Sequence, residues 1–273
     1  MSTGRTSLLL FLGILTTSVH AETVDCTPVV SLPATISGQG IYCLTGNLAT
    51  SQTSGNAITI TANNVTLDLN GWKVGGQAAG SATSARGISS TANNITIKNG
   101  IIRGFSVGIY LLGRGATVQG ITVDQNTQAG IAVAGAGSVV QGNQVVDTGG
   151  STTSTNAPAV GIQVSGSGSL IQNNLVSGLT STGVGNEWGI YFTSGAAQST
   201  ARGNVISDTA RPSSASDGIL VNAASEVAVR NNILTNFTFG VNYINSATGT
   251  YSRNTAISCD TPYAGGTAGT GND

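Results

Sequence analysis

Gly161-Ile162-Gln163-Val164 and Gly189-Ile190-Tyr191-Phe192 are two copies of one short signature, and its recurrence decides the fold. The other copies are Ala57-Ile58-Thr59-Ile60, Gly87-Ile88-Ser89-Ser90, Gly108-Ile109-Tyr110-Leu111, Gly130-Ile131-Ala132-Val133, Gly218-Ile219-Leu220-Val221 and Gly240-Val241-Asn242-Tyr243. Each is followed by a small polar turn, an apolar-x-apolar stretch ending in Asn, and two or three further β-formers. Successive copies begin 30, 21, 22, 31, 28, 29 and 22 residues apart. The shortest period suits one three-strand turn of a β-solenoid, and the longer periods carry insertions. A leucine-rich repeat has a similar period, but its leucine consensus is absent here. The strands are short, alternate apolar with polar residues, and are punctuated by Gly and Asn. No window carries a sustained 3.6-residue stripe, so almost no helix is expected outside a cap.

A second column fixes the register. Asn143, Asn174, Asn204, Asn232 and Asn254 follow the second strand of their coils. Asn tolerates the left-handed backbone of a tight turn. Stacked one strand apart, at about 4.8 Å, identical amides can hydrogen-bond along a ladder. The column therefore reads as a structural device rather than a binding strip.

At this point the chain resembles the right-handed parallel β-helix repeat proteins of the pectate-lyase-like superfamily. The lead-in Leu32-Pro33-Ala34-Thr35-Ile36-Ser37-Gly38-Gln39-Gly40-Ile41-Tyr42-Cys43-Leu44, followed by Asn64-Val65-Thr66-Leu67-Asp68-Leu69-Asn70-Gly71, is similar to the opening of many exported members. The resemblance spans essentially the whole chain after residue 21. It implies the fold and leaves function open, because the group holds lyases, epimerases, hydrolases, phage spikes and adhesins. The expected fold is all-β: a single-domain right-handed parallel β-helix of three-strand coils, about eight turns, with an N-terminal cap. Residues 22–56 are expected to form the cap and lead-in, 57–263 the β-helix, and 264–273 a loose, polar C-terminal tail.

Residues 1–21 read as a signal peptide. Arg5 supplies a positive start, Leu8 to Leu15 a short apolar run, and Val19-His20-Ala21 a cleavage site after Ala21. The run is too short to span a bilayer comfortably, and no later segment resembles a membrane span. A secreted, periplasmic or extracellular protein is expected. Cleavage removes the only His, His20, and the only Met, Met1. It also removes Arg5, leaving nine Lys and Arg against eleven Asp and Glu, a net charge near −2. With no basic patch, nucleic acid is excluded as a partner. Charged residues are 8% of the chain, against about 25% in an ordinary soluble domain. In an oxidising compartment Cys26 and Cys43, close in sequence, are expected to form a disulfide, although spacing alone leaves pairings with Cys259 open.

The insertions Gly75–Arg86, Thr148–Val160, Gly178–Trp188 and Asp208–Asp217 all fall just before the Gly-Ile strand. Loops leaving one corner of a stacked coil line one edge of the solenoid. Three of them precede consecutive coils, which predicts a wall of loops beside a groove on the Gly-Ile-x-Val sheet. The x positions point outward because the Ile and Val point in. Among them Tyr110, Gln163, Tyr191 and Asn242, with Trp188 at the loop edge, suit sugar binding. Aromatic faces cover the apolar faces of sugar rings, and amides and hydroxyls bond the sugar hydroxyls.

Without a histidine, Ser-His-Asp and Cys-His catalysis and His-ligated metal sites are excluded in the mature chain. Carboxylate chemistry remains, or a metal-assisted lyase with an Arg, Lys or Tyr base. The best cluster is Glu187, Asp208 and Asp217, with Arg211 nearby. Glu187 and Asp217 on neighbouring coils would stand about 5 Å apart, as a catalytic pair or the seat of an oxygen-ligated Ca²⁺. Asp68 and Lys98 occupy matching places in the first two coils and read as a structural pair. The favoured function is an exported protein that binds or modifies carbohydrate, including acidic polysaccharide; if an enzyme, it would be lyase- or epimerase-like. The competing function is a non-enzymatic surface, adhesin or spike component, suggested by the sparse charge and the Gly/Ser/Thr/Asn loops.

Overall fold

The computed structural model describes residues 25–208 and 215–273. The proposed signal peptide and Arg211 lie outside them. Alternation of inward Ile, Val and Leu with outward polar residues makes each segment a strand with one buried face. A strand of this kind can complete its backbone hydrogen bonds only on the coils above and below. The result is a right-handed parallel β-helix. Its strands form one ten-stranded parallel sheet and one eighteen-stranded sheet. The larger sheet is two columns of strands, fused where Ile95–Arg103 and Thr117–Asp124 run through both. Each coil therefore carries three strands. The described residues contain one helical element, the three-residue 3-10 turn Gln77–Ala79.

All eight signature copies lie in the ten-stranded sheet, stacked in register. Two more strands flank them. Ala34–Ile36 pairs with the first copy, and Thr261–Ala264 with the last. The sheet therefore has ten rungs where the repeat predicts about eight turns. The Ile column, Ile58, Ile88, Ile109, Ile131, Ile162, Ile190 and Ile219, is fully buried. From Ile88 onward the residue before it is Gly, set by close approach. A Cβ on Gly161 would stand 2.5 Å from both the Gly189 carbonyl oxygen and Val176 Cγ1, and one on Gly189 would stand 2.3 Å from Ile206 Cγ2.

The Asn column is a continuous buried ladder. Each Nδ2 donates to the next Oδ1, from Asn143 through Asn174, Asn204 and Asn232 to Asn254, at 2.9–3.0 Å. The second Nδ2 hydrogen goes to a backbone carbonyl one coil back, as from Asn204 to Ile171. Each Oδ1 also accepts a backbone N–H, so every amide is saturated. One expectation is corrected. The left-handed residue is the one preceding each ladder Asn: Gly142 (φ 61°), Asn173 (54°), Gly203 (65°), Asn231 (56°) and Arg253 (53°). The ladder Asn is free to turn inward because its neighbour makes the turn.

Both ends differ from expectation. Gly40–Leu44 and Leu48–Ala49 pair with the following coil, so the lead-in forms a further rung. The cap is narrower than residues 22–56: the strand Thr27–Val29 lies along Tyr42–Leu44, and the Cys26–Cys43 disulfide (Cα–Cα 5.8 Å) fastens it. At the other end, the tail expected to be loose is hydrogen-bonded to the coil beneath. Thr267–Ala268 pairs with Thr250–Tyr251, and Asn272 Oδ1 accepts from Asn254, which ends the ladder. Tyr251 and Tyr263 stack at 5.0 Å with Tyr243 beside them, an aromatic plug that a polar composition does not announce. Asp68 and Lys98 are register partners and form the expected ion pair, 2.9 Å across.

Asn204→Ala would strip the acceptor from the Asn174 amide and backbone N–H inside a dry core. At about 1–3 kcal/mol per orphaned buried group, a loss on the order of 3–5 kcal/mol is expected by denaturant unfolding, against less than about 0.5 kcal/mol for surface Arg202→Lys. Reducing Cys26–Cys43, which span 17 residues, is expected to cost about 3 kcal/mol in the same assay.

Candidate carbohydrate-binding face and its loop wall

The insertions meet at one corner. Thr152 N donates to the Ser81 carbonyl, and the two hydroxyls are 3.2 Å apart, so the first insertion reaches the second across two coils with short corners. Thr182 Oγ1 donates to the Ser151 carbonyl at 2.7 Å, and Val184 N to Asn156 Oδ1 at 3.1 Å, which joins the second to the third. The fourth insertion lies largely outside the described residues.

Two outward rows run along the ten-stranded sheet beside this wall. One is the expected x row, in which Tyr110, Ala132, Gln163, Tyr191, Leu220 and Asn242 are consecutive register partners. The other holds the residue before each Gly: Arg86, Val107, Ala129, Val160, Trp188, Asp217 and Phe239. The rows touch. Trp188 and Tyr191 rings are 4.6 Å apart, Asn242 Nδ2 donates to Asp217 Oδ1 at 2.8 Å, and the Arg86 guanidinium sits 4.1 Å from the Tyr110 ring centre. Asn222 Nδ2 donates to the Tyr191 hydroxyl at 3.1 Å, and Asn245 to Asn222. Sequence reasoning missed Arg86, Asn222 and Asn245. The position before each Gly would have revealed Arg86, since it places that residue in the Trp188–Asp217 row.

Two of the three carboxylates are offset in register. The register pairs Glu187 with Ser216, and Asp217 with Trp188. The two acids are one residue out of step, and neighbouring residues on a strand face opposite ways. Glu187 turns back to its own loop, where Oε1 accepts from Ser181 N at 2.7 Å and Ser181 Oγ at 3.0 Å. It clasps the third insertion shut. Asp208 is buried at the end of Val205–Ser207, its carbonyl accepting from Asn236 Nδ2. Among the described residues no group of three or more His, Cys, Asp or Glu is placed to hold a metal ion. The register sets Glu187 and Asp217 on opposite faces of their strands rather than side by side.

Asp217 stands alone on the face, 5% exposed. Burial drives its pKa up to about 6, although hydrogen bonds from Asn242 and the Trp188 indole pull the other way. It is therefore partly protonated near neutrality and can both accept and donate.

No family model matches the sequence, and neither does any curated protein. Solved structures do match. The tailspike protein gp208 of phage Dettilon superposes with a TM-score of 0.65 at 15% identity, covering 91% of this chain and 58% of that one. The enzymatically active domain of tailspike protein 2 from bacteriophage CBA120 gives 0.52 at 13%, covering 87% of this chain and 42% of that one. The A-module of the mannuronan C-5 epimerase AlgE4 from Azotobacter vinelandii gives 0.51 at 14%, covering 91% and 86%. The chain thus spans about half the length of the two tailspikes. Identities this low establish the shared β-helix fold. No helix among the described residues is long and apolar enough to cross a membrane.

A buried carboxylate with a raised pKa opposes folding once it ionises. The folded state holds its proton up to about pH 6 and the unfolded chain only to 3.8. Stability contributed by the protonated form is thus lost as pH rises from about 4 through 6. Asp217→Asn is expected to match the parent at pH 4 and to exceed it at pH 7.5 by on the order of 2–3 kcal/mol. Parallel thermal melts at the two pH values check this.

Proposed function

We propose that this protein is exported and binds a carbohydrate chain along the outer face of its ten-stranded sheet. The observation that carries the reading is the Trp188–Tyr191 ring pair set directly beside the Asp217–Asn242 hydrogen bond. Adjoining apolar plates and paired polar groups match the two kinds of surface on a sugar ring. Successive rungs of the rows lie about 4.8 Å apart, close to the rise of one sugar unit in an extended chain. Tyr110 and Gln163 extend the row toward the N-terminal coils, and the loop wall forms its rim. The Cys26–Cys43 disulfide supports an oxidising, extracytoplasmic location. A tailspike and an enzyme acting on mannuronan share the scaffold, which suits the reading without fixing the glycan.

A second reading, modification of the bound chain, is favoured by Asp217 alone. A carboxylic acid with a pKa near 6 can move a proton at neutral pH. Glu187, Asp208 and Arg211 are not needed for it. Its test is product formation from the retained glycan, lost in Asp217→Asn.

A glycan array should return discrete hits. For the best of them, calorimetry should show Trp188→Ala weakening binding by about 1–3 kcal/mol, roughly 5- to 150-fold. An array without hits, or an unchanged Kd in Trp188→Ala, would overturn the assignment.

A further inference from the structure

The strands of the ten-stranded sheet contain three charged side chains, Arg86, Glu187 and Asp217. Glu187 is turned to Ser181 in the third insertion. Among the described residues of these strands, one cation and one anion are left on the outer face. The register Arg86–Val107–Ala129–Val160–Trp188–Asp217 separates them by five strand steps, about 24 Å. Every residue between them in both rows is neutral. The insertions over residues 76–85, 150–158 and 181–186 contain no charged residue either. On a face so free of charge, the position of each charge carries information.

The two ends offer opposite chemistry. The Arg86 guanidinium carbon lies over the Tyr110 ring, 4.1 Å from its centre. A cation–π contact of this kind holds the side chain in place, and a guanidinium has five N–H donors to offer a carboxylate, sulfate or phosphate oxygen. Asp217 has Trp188 and Phe239 as its partners on the adjacent strands, with Asn242 donating to it. An anionic group laid there would meet a second buried carboxylate in a site of low dielectric, which disfavours both.

We propose that this face reads the position of charge: it binds a mostly neutral glycan in one direction, with an anionic substituent on Arg86 and an uncharged unit on Trp188 and Asp217. The inference rests on the carbohydrate reading above and narrows it. Chains with a carboxylate on every unit are rejected, because one of their carboxylates always falls on Asp217.

The test compares the intact protein with Arg86→Gln, Arg86→Lys and Asp217→Asn on an array of neutral glycans, heteroglycans with one anionic group per repeat, and polyuronates, near pH 7.5. Parental hits should concentrate in the singly anionic heteroglycans. Arg86→Gln should erase their advantage over neutral counterparts, a change of about tenfold, while Arg86→Lys keeps most of it. Asp217→Asn should gain polyuronate binding. Polyuronates as the best parental ligands, or an advantage untouched by Arg86→Gln at unchanged melting temperature, would overturn the inference alone. Absence of binding to every class would overturn the carbohydrate reading and the inference with it.

Discussion

Every feature of this molecule depends on one constraint: strands stack in parallel, in register, at a fixed spacing. A residue's environment is then set by its column rather than by its neighbours in sequence. A column that suits one rung must suit the next, which is why Ile58 through Ile219 repeat and why a Gly recurs before each Ile from Ile88 onward. The Gly is required because the backbones of adjacent coils close on it, leaving no volume for a methyl group at Gly161 or Gly189. The Asn ladder obeys the same rule in polar form. An amide can sit in this dry core only because an identical amide lies one step away to complete its hydrogen bonds.

Such a scaffold punishes exceptions, and that makes its exceptions informative. Asp68 is tolerated because Lys98 is its register partner. Glu187 is held through one oxygen by Ser181 of its own loop, while its buried Oε2 makes no hydrogen bond among the described residues. Among the described residues Asp217 has neutral donors, Asn242 and the Trp188 indole, and burial raises its pKa. Asn at the same position would keep the shape without a charge to bury. The carbohydrate reading proposed above would give this carboxylate, set beside an aromatic pair, a functional reason.

Columns are legible in sequence, and offsets within them are not. The Gly-Ile-x-Val copies reveal the sheet, its outward row and the corner from which the insertions leave, because all three follow from period alone. The Asn column is equally plain, yet its left-handed residue sits one place earlier, at Gly142 or Asn231, and nothing in the spacing distinguishes the two positions. The same one-residue ambiguity separates the two carboxylates. Glu187 lies two residues before its Gly and Asp217 one, and on a strand that difference is the difference between opposite faces. The C-terminal stretch misled for another reason. Its polar composition suggests a loose tail, but Asn272 and Tyr263 are polar residues whose columns hold the ladder's last acceptor and part of the aromatic plug.

Function on this fold therefore resides in how the outward columns depart from monotony. The inner columns must repeat, so they cannot encode a ligand. The loop wall is built from Ser, Thr, Asn and Gly whose hydrogen bonds are spent largely on one another, as between Ser81 and Thr152 or Thr182 and Ser151. It supplies shape rather than charge. What remains variable is the sequence of side chains read along the helix axis: Arg86, Tyr110, Gln163, Trp188, Tyr191, Asp217, Asn242. A linear polymer lying along that axis would meet these groups in order, so a β-helix presents a chain-like ligand with a chain-like site. The order of the side chains, more than any single residue among them, would then set which polymer is held.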